Sequence, residues 1–247
     1  MKKLSLSLCA AALLMSLSAC DDTMDPNDPQ SVRKYLDKQK IAVTGNNFVN
    51  AAASGDTAKM TLFLQAAFEI DTPNDGGNNA VAILVNKGNV EMLKWVFAHG
   101  AKANVTNGNG ESVLDNAVSM GPTHVEVVKL LLEQLKAEGV EFSNLTSAVV
   151  YAAKTGNAEM LRILGDAGVP LENRGADGYY PVHLAVKGGH YDALMYLIEK
   201  KVDMNVKCKQ GYSVLDWAKD SGYTRLIAAV KKAGGKHTPE YVKEFGK

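Results

Sequence analysis

The residues able to carry chemistry are few and scattered. Five histidines stand at 99, 124, 183, 190 and 237, and no pair has the H-x-x-x-H or H-E-x-x-H spacing that sets two imidazoles on one helix face for a metal. The cysteines, Cys9, Cys20 and Cys208, form no cluster able to hold zinc. No G-x-S-x-G occurs, so a strained nucleophile turn of that type is absent. Gly108-Asn109-Gly110 is too short to cradle a phosphate and suits a hairpin tip, where glycine serves positive φ. The acidic spacing of DTMDPNDP (22–29) lacks the turn glycine and the bidentate glutamate of a calcium loop. No catalytic residue, metal site or cofactor is expected.

Cys20 is the one side chain with a chemical context. Met1-Lys2-Lys3 is a short basic start, and residues 4–19 are apolar and small without a charge. That run is shorter than the roughly 20 apolar residues needed to cross about 30 Å of bilayer, so it reads as an export signal. Leu17-Ser18-Ala19-Cys20 resembles the bacterial lipobox. The resemblance implies a diacylglyceryl group on the Cys20 thiol, cleavage of residues 1–19 and acylation of the new amine. Two or three acyl chains, at about 0.8 kcal/mol per buried CH2, would hold the chain to a membrane. Asp21 after such a cysteine resembles an inner-membrane retention signal, although Asp21-Asp22 is equally a solvated tether. The expected location is therefore a lipid anchor facing the periplasm. Met24, just past the lipobox, offers an internal start that would give an unlipidated cytosolic product.

Composition excludes other partners. Basic and acidic residues balance at 27 each, and loss of Lys2 and Lys3 leaves 25 against 27. Such a chain carries no electrostatic footprint for nucleic acid. With Cys9 removed and Cys20 acylated, Cys208 has no disulfide partner, so packing alone must hold the fold. A hydrophobic content of 46% is enough for a sizeable core.

Residues 21–30 are acidic, proline-bearing and apolar-poor, and read as a flexible linker. Val32, Tyr35, Leu36 and Gln39 then predict one short helix over 31–41. Beyond it the chain repeats. Glycines at 55, 88, 156, 189 and 222 are separated by 33, 68, 33 and 33 residues, the missing member falling near 121–123 in a segment with two extra residues. Seven positions earlier stand Phe48, Val81, Leu114, Val149, Val182 and Leu215; four earlier stand Ala51, Leu84, Ala117, Ala152, Ala185 and Ala218. An apolar helical pattern follows the glycines, as in Met92-Leu93-Val96-Phe97. Each unit reads as a short helix, a glycine turn, a second helix and an extended loop.

This pattern resembles the ankyrin repeat. Tyr180-Pro181-Val182-His183 stands where that family has T-P-L-H, and Gly189-His190 where it has G-H. Ser112-Val113-Leu114-Asp115 and Ser213-Val214-Leu215-Asp216 put aspartate in the histidine position. The resemblance implies an all-α solenoid of six repeats over 44–237, preceded by the signal peptide (1–19) and by the acylated cysteine, linker and short helix (20–43), and followed by a C-terminal tail helix (238–247). His183 would bond the neighbouring loop as a structural residue. Met120-Gly121-Pro122-Thr123 lengthens the third inter-helix turn, LLLEQLKAEGV (130–140) lengthens the helix after it, and the fourth unit lacks its hairpin, so a bend or notch is expected there.

A repeat scaffold without a convergent polar pocket is a binder. In the ankyrin family the hairpin tips and the first-helix face line the binding side. That mapping gives Asn78, Asn109, Glu111, Asp177, Tyr179, Lys209 and Tyr212 at the tips and Lys154, Lys187 and Asp220 near the ends of first helices. Tyr179 and Tyr212 are either exposed anchors or packing on the next hairpin. Trp217 reads as groove-lining core, and Met60, Met92, Met160 and Met195 as core. The expected partner is a protein met by a free monomer. Membrane-anchored ankyrin lipoproteins resemble immunity proteins that neutralise phospholipase-type effectors of type VI secretion; the other reading is an accessory or scaffold for a resident periplasmic enzyme such as catalase.

Overall fold

The computed structural model describes residues 24–245, which form fourteen α-helices, with no strand among the described residues. The chain divides into two compact units, one ending at Val113 and one beginning at Leu114.

The first unit opens with α1 (Pro29–Lys38), which starts inside the stretch expected to be a flexible linker. Asp28 accepts from the Gln30 and Ser31 amides, and Pro29 occupies the first turn, so this end is ordered by its own capping chemistry. Val32 and Leu36 are fully buried, and α1 packs on α3 (Thr57–Gln65). Arg33 Nε donates to the Ala66 carbonyl at 2.9 Å, pinning α1 to that helix end. Two helical pairs follow: α2 (Gly45–Ser54) with α3, and α4 (Ala80–Lys87) with α5 (Val90–Ala98). The first helices α2 and α4 pack against each other. Phe48, Phe63 and Phe68 fill the space between α2 and α3, with ring centroids 5.1–6.0 Å apart.

In the second unit, α6 (Val113–Ser119) leads into a 3-10 turn at Gly121–His124, where the lengthened loop was expected. The next helix, α7 (Val125–Ala137), has 13 residues where the other second helices have 9. Three pairs follow: α8 (Thr146–Thr155) with α9 (Ala158–Asp166), α10 (Pro181–Lys187) with α11 (Tyr191–Glu199), and α12 (Val214–Ser221) with α13 (Thr224–Lys232). First helices α8, α10 and α12 stack in one layer, second helices α7, α9, α11 and α13 in another. At the expected notch a groove of about 260 Å³ lies between α7 and α9, lined by Lys129, Leu132, Lys136, Phe142, Ile163 and Asp166. The tail after Gly235 folds as α14 (Pro239–Phe245).

The repeat positions do what their spacing requires. Phe48, Val81, Leu114, Val149, Val182 and Leu215 are 0–3% exposed, and so are Ala51, Leu84, Ala117, Ala152, Ala185 and Ala218. Gly156 closes α8 at φ 72°, and a Cβ there would strike the His190 ring, whose Nε2 lies 3.0 Å from the Lys154 carbonyl. Gly108 has a different role from the expected one. Its φ is not positive; a Cβ would collide with the Gly76 carbonyl, so glycine lets two hairpins meet. Gly110, at φ 79°, is the residue that needs the left-handed conformation. Met60, Met92 and Met160 are core, but Met195 is 38% exposed. Ala193, Leu194, Tyr196 and Leu197 take the inward positions of α11 and leave Met195 on its outer side.

Candidate protein-binding face

Aligned on Gly156, Gly189 and Gly222, α8, α10 and α12 bring equivalent residues into register. Tyr151, Leu184 and Trp217 share one position; Lys154, Lys187 and Asp220 share the position three residues later. Tyr151 is exposed and Trp217 half-buried, while Lys154, Lys187 and Asp220 project to solvent. Leu184, between Tyr151 and Trp217 in that row, is buried.

Around Lys187 the row is built from rings. Its ammonium stands 5.3 Å from the Tyr179 ring centre and 5.0 Å from that of Trp217, and those rings meet edge to face at 5.7 Å. Cation–π contacts of this kind are worth about 0.5–1 kcal/mol when exposed. Gln210 Nε2 donates to the Tyr179 hydroxyl at 2.8 Å, and the Trp217 indole N–H points at the buried Cys208 sulfur at 3.4 Å. Trp217 is thus partly core, as expected, with one edge on the face.

The end of the face is covered by the chain's own tail. Asp216, fully buried, accepts from the Ser213 amide at 2.8 Å, from His237 Nδ1 at 2.8 Å and from the Thr238 hydroxyl at 2.9 Å. Burial alone would raise its carboxyl, but the donors from Ser213, His237 and Thr238 outweigh it and hold the group below the usual carboxylate range. Ser213 returns the bond at 3.2 Å, closing a capping box at the start of α12. Tyr241 then lies flat on His237, meets Tyr212 edge to face at 6.1 Å and donates its hydroxyl to Asp220 at 2.6 Å. Burial and the Asp220 carboxylate push the Tyr241 phenol well above its ordinary value.

The expected binding residues therefore divide. Tyr212 is half-buried under Trp217 and Tyr241, and Asp220 is engaged by Tyr241, so the tail already occupies both. Asp177 caps its own turn by accepting from the Tyr179 amide, and the Lys209 stem lies over Gly178 with an exposed end. Lys154, Lys187 and Tyr179 stay on the open face. In the first unit, the Asn78 side chain accepts from the Gly108 amide at 2.9 Å and Glu111 accepts from Asn107 Nδ2 at 3.0 Å. Those two hold hairpins in place, whereas Asn109 is exposed at its tip. Tyr151 was not foreseen. Its place five residues before Gly156, level with Trp217 before Gly222, is the signal that could have found it. Cys20 and Asp21 lie outside the described residues.

His183 is structural. It is fully buried, its Nε2 faces the Tyr212 carbonyl at 3.3 Å, and Nδ1 has no hydrogen-bond partner. Burial lowers the imidazole to about 4, against the raising effect of carbonyls. Among the described residues no group of three or more His, Cys, Asp or Glu could hold a metal ion, and no helix is long and apolar enough to cross a membrane.

Stacked helix pairs presenting a row of rings and charges define a repeat-built protein-interaction module. Family profiles described as ankyrin repeats match residues 81–132 (many copies), and 133–208 and 149–238 (3 copies). The chain belongs to the ankyrin-repeat family. It is 32% identical to the human cyclin-dependent kinase 4 inhibitor B over 126 residues, 51% of this chain and 90% of that protein. It is 28% identical over 195 residues to human transient receptor potential cation channel subfamily A member 1, 76% of this chain but 16% of the channel subunit's length. A crystal structure of an ankyrin repeat domain from Acinetobacter baumannii superposes with a TM-score of 0.67 at 21% identity, over 76% of this chain and 98% of that one.

Proposed function

We propose that the chain is a membrane-anchored, periplasm-facing binding protein that neutralises a phospholipase-type antibacterial effector by occlusion. The observation that carries the binding role is the open surface made by Tyr151, Lys154 and Lys187 on stacked first helices with Tyr179 on the hairpin before α10, a surface with no reacting group attached. The lipobox-like Leu17-Ser18-Ala19-Cys20 supports the anchor, and the absence of a catalytic constellation from the sequence suits a protein that acts by covering another. The free form is a monomer, and a minor cytosolic product starts at Met24.

The test is direct. The gene beside this one is read for a lipase with a secretion-associated domain, and that lipase is assayed with increasing amounts of the chain. Stoichiometric loss of phospholipase activity supports the proposal; full activity in excess chain removes the neutralising role. Palmitate label should be present on the wild type and absent from Cys20→Ser, and equal labelling would remove the anchor. Fractionation with a C-terminal tag should show a soluble band that Met24→Leu abolishes; without such a band there is no cytosolic form.

A further inference from the structure

We propose that the protein partner offers an acidic segment to the face of the second unit, its carboxylates meeting Lys154 and Lys187 and its apolar side chains resting on Tyr151, Tyr179 and Trp217. This rests on the binding role proposed above and adds the chemistry of the partner.

The chain's own tail shows how the row is used. Residues 154, 187 and 220 are equivalent, and the one that is acidic, Asp220, takes the Tyr241 hydroxyl at 2.6 Å while the Tyr241 ring lies against Tyr212. A polar tip is received at this row while a ring packs on the aromatic residue eight positions earlier. The other two members carry the opposite charge. Lys154 and Lys187 are exposed and make no ion pair among the described residues. Lysine donates only, so a group bound there must accept, and a carboxylate accepts most strongly.

The ring pattern recurs at Lys187. Tyr179 precedes it by the same interval that separates Tyr212 from Asp220, whereas Thr146 stands eight before Lys154, where the aromatic residue is the exposed Tyr151 of α8 itself. Lys187 rests between Tyr179 and Trp217 at about 5 Å from each ring centre, so its charge is held over the platform rather than swinging free. Acidic groups nearby are committed: Asp220 to Tyr241, Asp177 to the Tyr179 amide, and Asp216 to the tail. The open part of the face thus offers the ammonium groups of Lys154 and Lys187 beside aromatic rings, while the nearby carboxylates already hold hydrogen-bond donors of this chain.

A random peptide library selected against the full chain tests this. Enriched peptides should be acidic, and their affinity should fall with added salt as exposed charge pairs are screened. The double variant Lys154→Gln with Lys187→Gln should bind them about tenfold or more weakly, while Lys154→Arg with Lys187→Arg should retain binding. Peptides that are not acidic but lose binding with Tyr151→Ala and Tyr179→Ala would overturn the acidic assignment and leave the face as the binding surface. Peptides insensitive to all of these substitutions, or no enrichment, would overturn both.

Discussion

Tyr180 occupies the N-cap of α10 without capping it, whereas Ser213 at the equivalent place of α12 bonds the Asp216 amide at 3.2 Å. His183 Nδ1, on the first turn of that helix, also has no hydrogen-bond partner. Tyr180→Thr supplies a capping hydroxyl at the N-cap of α10 and should stabilise the chain by about 1 kcal/mol, read by chemical denaturation. Equal or lower stability would mean that the half-buried phenol ring contributes more than a cap. His183 also sets a pH dependence. Its folded value of about 4 lies below the ordinary 6.5, so the unfolded chain takes the proton first. The contribution is whole above pH 6.5 and declines by about 3 kcal/mol as pH falls from there to about 4. His183→Asn should lower stability at neutral pH and flatten that acid limb; an unchanged limb would place the titration elsewhere.

At the scale of elements, helix α9 contains Gly165, a residue that normally costs a helix about 1 kcal/mol relative to alanine. Packing overrides that preference. Tyr196 on α11 is fully buried and its hydroxyl would clash with a Cβ at 165, with Leu171 at 3.1 Å closing the other side. That hydroxyl donates to Asp166 at 3.2 Å, and burial pushes the phenol up to about 12. Gly165→Ala should therefore destabilise by about 1–3 kcal/mol despite its better propensity, as overpacking does, and a raised thermal midpoint would contradict this. The tail makes a second case. Removing residues 237–247 deprives buried Asp216 of His237 and Thr238, and should cost about 2–4 kcal/mol while freeing Tyr212 and Asp220. An unchanged midpoint would mean that the tail is only loosely laid on the face. A helix after Gly234-Gly235 was legible in the sequence, but its docking was not. The Asp216–Thr238 bond joins residues 22 positions apart, and an aspartate in the histidine position gives no hint of its partner.

Across the whole molecule, period was the readable signal. Glycine spacing located the helix pairs because the left-handed caps at Gly55, Gly88, Gly156 and Gly222 punish any other residue. The inward rows followed because burial obeys the same period. Side-chain exposure at single positions was less readable: Met195 lies between Leu194 and Tyr196, so helical spacing alone did not decide its face. Binding residues were legible as positions but not as availability, since Tyr212 and Asp220 became the seat of α14, while Asn78 and Glu111 serve the hairpins. The central claim is that a protein partner binds the open row on the first helices of the second unit. Calorimetric titration of the phospholipase-type effector into the wild type and into the double variant Tyr151→Ala with Lys187→Ala tests it most directly. Both side chains are exposed or partly so, and the variant should keep its thermal midpoint to within about 0.5–1 kcal/mol of stability while losing about 1–3 kcal/mol of affinity. Binding of the effector with unchanged affinity by the folded variant would contradict the claim.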